Sequence, residues 1–180
     1  MDSRKSNKLL VAAIDFGTTF SSWACSFRYD YQRDPTKMLI KEWNSGVGIS
    51  SKAPTTALIR PDGITLDAFG YDAEDKYARL AENDEHRDWY YFRKFKMSLF
   101  KDKSLTRQTN IDDELGKKMA AIKVISLVIR YMKDDLYKQI ESKMVGILSL
   151  QDIQWVLTVP AIWNDKARQF MLEAAVQVDF

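Results

Sequence analysis

The chain has 180 residues, with 27 Lys and Arg against 25 Asp and Glu and a formal net charge of +2. That length suits one domain with a real core and is short for two, and charges this evenly interspersed do not point to nucleic acid as a partner. Cys25 is the single cysteine, so no internal disulfide is available and a buried, inert thiol is expected.

Residues 1–7 are polar and are expected to form a flexible N-terminus before a domain over 8–180. The apolar run Leu9-Leu10-Val11-Ala12-Ala13-Ile14 is too short for a membrane span or a signal-peptide core, which predicts a cytoplasmic location, with the nucleus also compatible. Phe20 to Phe27 resumes as a second strand. Residues 28–37 read as a polar connection, Met38-Leu39-Ile40 as a short strand, and 44–51, with two glycines and three serines, as a loop. Strands over 55–60 and 65–69 flank the turn Pro61-Asp62-Gly63. A short helix is expected over 71–80, then a polar loop containing His86 and the aromatic cluster Trp89-Tyr90-Tyr91-Phe92. His86 has no partner at ligand spacing and reads as a surface residue.

The longest regular element is a helix expected over 113–143. Leu115, Met119, Ile122, Ile125, Ile129, Met132, Leu136 and Ile140 step by three or four and define a core-facing stripe. An apolar strand over 152–159 ends at Pro160, and Asn164-Asp165 carries the cap signal for a last helix over 166–177. Strands first, helices later and one strand returning after a long helix indicate an α/β fold, a mixed sheet covered by helices.

Chemistry concentrates in Asp15-Phe16-Gly17-Thr18-Thr19, the turn between the first two strands. Gly17 has no Cβ, so backbone N–H groups there can approach an anion closely. Thr18 and Thr19 add hydroxyls, and Asp15 at the strand end can hold Mg²⁺ through water. An ordinary hairpin uses the same residue types, and the local sequence leaves both readings open.

Four segments in order resemble the heat shock protein 70 family and its actin-like ATPase domain. They are Asp15-Phe16-Gly17-Thr18-Thr19-Phe20-Ser21, Pro54-Thr55-Thr56, Phe69-Gly70-Tyr71-Asp72-Ala73, and Val156 to Asp165 with Arg168-Gln169. Ala161-Ile162-Trp163 and Tyr91-Phe92-Arg93-Lys94-Phe95-Lys96-Met97 resemble the divergent 12A/12B-like branch more than the housekeeping chaperones. The resemblance implies an actin-like (ribonuclease H-like) lobe I, the N-terminal part of a domain about twice this length. It also implies ATP or ADP with Mg²⁺ as cofactors and a slow ATPase driving a chaperone-like cycle. Co-chaperones or client proteins would bind through parts absent here.

Carried over by the resemblance, Asp15 positions the metal through water, and Gly17, Thr18, Thr19 and Phe20 form the phosphate-contacting turn. Phe20 replaces the family's usual Tyr and lacks its hydroxyl. Lys94 is the candidate catalytic lysine with Lys96 as its competitor, and Pro160 and Arg168 match a nucleotide-state relay. The family's remaining catalytic groups match no segment of this chain, so the isolated chain is expected to turn over little or no ATP. A nucleotide-sensing scaffold without turnover and a metabolite kinase of the same superfamily are the alternatives.

Overall fold

In the computed structural model, which describes residues 8–97, 105–143, 148–160 and 163–180, the first two strands form a long antiparallel hairpin. Strand β1 (Leu10–Phe16) pairs with β2 (Phe20–Phe27) from Leu10 opposite Phe27 to Phe16 opposite Ser21. On its other side β1 takes β12 (Ile153–Thr158) in parallel, with Leu10 beside Ile153 and Asp15 beside Thr158. Strands β3 (Leu39–Ile40) and β6 (Ala53–Pro54) both add antiparallel to β2, giving the order β12-β1-β2-β3 with β6 off the path. One parallel strand beside an antiparallel hairpin makes the sheet mixed, as expected.

A second, antiparallel sheet has β7 (Thr56–Ile59) between β8 (Leu66–Phe69) and β9 (Tyr90–Arg93). The aromatic cluster at 89–92 is therefore largely a strand. Two small hairpins complete the β structure of the described residues: β4 (Trp43–Asn44) with β5 (Ile49–Ser50), and β10 (Asn110–Asp112) with β11 (Lys118–Ala120). Among the described residues the α-helices are α1 (Arg28–Arg33), α2 (Tyr71–Glu82), α3 (Ala121–Glu141) and α4 (Asp165–Val176). The connection expected over 28–37 thus contains one short helix.

The long helix starts eight residues later than its apolar stripe suggests. Asp113 accepts the Leu115 and Lys117 backbone N–H groups at 2.9 and 2.8 Å, and Gly116 has φ +79°. This carboxylate-held turn closes the β10–β11 hairpin, where a helix needs its N–H groups for itself. Met119 is buried from a strand and Leu115 is 47% exposed at the turn.

Helix α3 packs on β1, β2, β8, β11 and α4. Its Val124, Ile125, Val128, Ile129, Met132 and Leu136 meet Leu10, Ala12, Ile14 and Phe16 of β1 in one core. The alternation of β1 leaves its other face open: Val11 is 47% exposed, and Val156 and Ile40 on the neighbouring strands are 40% and 44% exposed. Asp15 and Thr158 stand on that open face. Residues 1–7, expected to be flexible, lie outside the described residues, as do Ala161 and Ile162 of the fourth resembling segment.

Candidate functional site

The turn at Gly17 is tight. A Cβ built there would lie 2.0 Å from the Phe20 carbonyl oxygen, so no larger residue fits without moving the backbone. Its shape is held from outside the hairpin by Thr55. The Thr55 hydroxyl donates to the Gly17 carbonyl at 2.9 Å and lies 2.8 Å from the Ser21 hydroxyl, while the Thr55 backbone N–H donates to the Thr19 carbonyl at 2.9 Å. Phe20 pairs with Pro54 and Ser21 with Ala53. With these carbonyls tied to Thr55, the loop has little freedom to collapse. Thr18 is half-buried, Thr19 is exposed, and the Phe20 ring is 44% exposed.

The segment at Gly70 supports the same clamp. Gly70 has φ +68°, and a Cβ there would meet the Ala53 Cβ at 2.6 Å. Its N–H donates to the Thr56 carbonyl at 2.9 Å as the chain enters α2. A close approach thus seats the start of α2 against β6, the strand that pairs with Phe20 and Ser21, and only glycine combines that φ with that spacing.

Asp15 sits at the end of β1 with its side chain 53% exposed. The Thr158 hydroxyl donates to Asp15 Oδ1 at 2.8 Å, and Lys52 Nζ is 3.7 Å from Oδ2. An exposed pair at that distance contributes little, so one carboxylate oxygen is fixed in direction and the other is lightly engaged. A hollow of about 210 Å³ opens here, lined in part by Asp15, Ser22, Lys52 and Thr158. Larger hollows of about 450 and 500 Å³, beside α3 and α4, include no residue of the turn.

Among the described residues no group of three or more His, Cys, Asp and Glu is placed to hold a metal ion. The donor set at the turn is one carboxylate with hydroxyls. That suits an ion which keeps most of its water and leans on one carboxylate and a ligand's phosphates, the habit of Mg²⁺, and does not suit an all-protein Ca²⁺ or Zn²⁺ cage.

Of the two candidate lysines, Lys96 reaches the hairpin. It is fully buried, its ammonium donates to the Phe16 carbonyl, and Nζ lies 4.5 Å from the Phe16 ring centroid and 4.8 Å from that of Trp163. Burial pushes its pKa down to about 8, with the Asp15 charge opposing the shift. Lys94 is exposed, with φ +47°. That left-handed residue turns the chain so that both Phe95 and Lys96 face inward.

Pro160 and Arg168 flank Trp163. The Pro160 carbonyl accepts the Trp163 N–H at 3.1 Å, and Arg168, in the first turn of α4, has Nη1 3.5 Å from Asp165. Thr55, Ser21, Thr158 and Trp163 are contributors that sequence reasoning did not assign to the site. For Thr158 the signal was present, because it and Asp15 each close an apolar strand. His86 is not a plain surface residue: its ring meets Tyr77 edge-on at 5.5 Å, and its Nδ1 is buried without a hydrogen-bond partner. Cys25 is the inert thiol expected, 4% exposed with burial raising its pKa to about 11.

No protein-family model matches the chain. It is 36% identical over 178 residues to heat shock 70 kDa protein 12A of Homo sapiens, spanning 97% of this chain and 26% of that protein. With heat shock 70 kDa protein 12B of Homo sapiens it shares 38% identity over 169 residues, 92% of this chain and 24% of that protein. This chain matches the 12A/12B-like branch of the heat shock protein 70 family. The chain spans about a quarter of the length of these curated relatives. Among solved structures it is similar to MreB5 of Spiroplasma citri bound to ADP, at 16% identity and a TM-score of 0.41 over 96% of this chain and 36% of that one. Among the described residues, no helix is long and apolar enough to cross a membrane.

Proposed function

We propose that this chain forms one wall of a Mg–nucleotide site in lobe I of an actin-like ATPase domain. The observation that carries this reading is the turn at Gly17, held open by Thr55 with Asp15 oriented by Thr158. The backbone N–H groups at Gly17, Thr18 and Thr19, with the two threonine hydroxyls, receive phosphate oxygens, as glycine turns with fixed carbonyls do elsewhere. Asp15 holds Mg²⁺ through water, and that ion neutralises phosphate charge when bound. Lys96 is the better placed of the two lysines to offset charge near the terminal phosphate, since phosphoryl transfer asks a protein mainly for positioning and electrostatics. In this reading Pro160 and Arg168 carry nucleotide state outward, and the whole protein acts in a cytoplasmic, stress-linked, chaperone-like cycle with client or co-chaperone partners.

The test is made in the full-length protein. Asp15→Ala is expected to abolish Mg-dependent ATP turnover and to weaken Mg-ATP binding measured by calorimetry. Unchanged turnover would remove Asp15 from the site. One observation favours the scaffold alternative: the Lys96 ammonium is engaged by the Phe16 carbonyl. If the full-length protein binds ATP yet shows no turnover above background, the nucleotide-sensing scaffold is the correct reading.

A further inference from the structure

A fully buried lysine requires compensation, because its ammonium has been stripped of water. Among the described residues no carboxylate lies within ion-pair distance of Lys96, and its ammonium donates to the Phe16 carbonyl. What remains around the ammonium is aromatic. The Phe16 and Trp163 rings lie 4.5 and 4.8 Å from Nζ, inside the range where a ring face attracts a cation. Phe95 packs on Phe16 at 6.0 Å and on Phe92 at 6.2 Å, which fixes the Phe16 side of the arrangement. Trp163 is 5% exposed, its N–H bound to Pro160 and the next residue, Asn164, capping α4.

We propose that Trp163 is a positioning residue for Lys96, its indole and the Phe16 ring forming a two-ring cage that holds the ammonium at the base of the Gly17 turn. The cage couples three parts of the chain that are far apart in sequence: the first hairpin, the segment after β9, and the connection from β12 to α4. Its nucleotide consequence rests on reading the turn as a phosphate site. A caged ammonium is pre-oriented toward the end of β1, whereas a released one is free to leave for solvent. Loss of the cage therefore weakens binding of a nucleotide with a terminal third phosphate more than one with two.

The experiment has two arms, both on the full-length protein. The first measures acylation of Lys96 by an amine-reactive ester, read by mass spectrometry, and needs no nucleotide. Trp163→Leu is expected to raise the labelling rate of Lys96 on the order of tenfold, and Trp163→Phe to restore protection. Stepwise fluorinated tryptophan at 163, which keeps the shape and weakens the ring's pull on cations, gives a graded rise and covers the case in which Trp163→Leu does not fold. A Lys96 labelling rate that is flat across the fluorinated series overturns the cage. The second arm measures ATP and ADP affinity by calorimetry. In Trp163→Leu the preference for ATP over ADP is expected to fall several-fold, with Trp163→Phe restoring it. An unchanged preference alongside raised labelling overturns the positioning role. Failure of the wild-type protein to bind either nucleotide overturns the phosphate-site reading, while the first arm still decides the cage.

Discussion

Lys96 shows how one buried charge shapes the behaviour of the protein with pH. Its folded pKa is pushed down from 10.5 to about 8 by burial. Between those values the unfolded chain holds more protons than the folded one, so the Lys96 contribution makes stability rise with pH there. Below pH 8 both states are protonated and the burial penalty is constant. Cys25, Tyr91 and Tyr131 work against this, since burial raises their pKa values to about 11, 12 and 12 and they destabilise the fold as pH climbs. The expected outcome is therefore a difference: between pH 8 and 10.5 the wild type gains stability relative to Lys96→Met, in urea unfolding without nucleotide or divalent cation. Parallel pH profiles for the two proteins would show that Lys96 does not titrate in that window. Which of Lys94 and Lys96 turns inward was not legible in Arg93-Lys94-Phe95-Lys96. The outcome depends on a left-handed backbone at Lys94, and lysine has no side-chain preference that announces one.

At the scale of elements, local chemistry set most boundaries. Asn164 caps α4 as its sequence position suggested, its side-chain oxygen accepting the Ala167 N–H at 2.9 Å. Asn164→Ala is expected to cost about 1 kcal/mol in urea unfolding, with Asn164→Asp close to neutral. A loss as large in Asn164→Asp would mean that the amide has some other role. The hairpin around Pro61-Asp62-Gly63 was equally plain, because the Asp62 carboxylate collects the Ile64 and Thr65 N–H groups at the turn. The start of α3 was not plain. Leu115 and Met119 fall on the helical stripe by spacing, yet Asp113 and Gly116 close a hairpin there. Periodicity marked Met119, which is buried, and also Leu115, which is exposed, because spacing is silent on whether a turn interrupts the element that carries the residues. At the other end of α4, Lys133 of α3 donates to the Val178 and Asp179 carbonyls at 2.6 and 2.9 Å. A cation from a neighbouring helix thus satisfies carbonyls just past the helix end, a role no local pattern indicates.

The whole molecule is tied together by polar contacts between distant segments. Asp135 of α3 accepts the Trp23 indole N–H at 2.7 Å and the Lys41 ammonium at 2.9 Å, bridging the helix to β2 and to the chain that follows β3. Trp23 is 1% exposed, so removing its acceptor leaves a buried donor unsatisfied. Asp135→Ala is expected to destabilise the protein by about 1–3 kcal/mol in urea unfolding. A loss below about 0.5 kcal/mol would show that the indole finds another partner.

Local sequence was enough for the first hairpin, the glycine turn with its carboxylate and hydroxyls, the apolar strand before Pro160 and the cap of α4. Each of these rests on interactions between residues a few positions apart, where side-chain type and spacing carry the physics. What surrounds the candidate site came from tertiary contacts alone. Thr55 grips Gly17 across 38 positions, Lys96 reaches Phe16 across 80, and Thr158 orients Asp15 across 143. Such contacts follow from the parallel register of β12 on β1 and from α3 closing the core beneath them. Register and packing are set by the fit of whole faces, which no single segment of the chain contains.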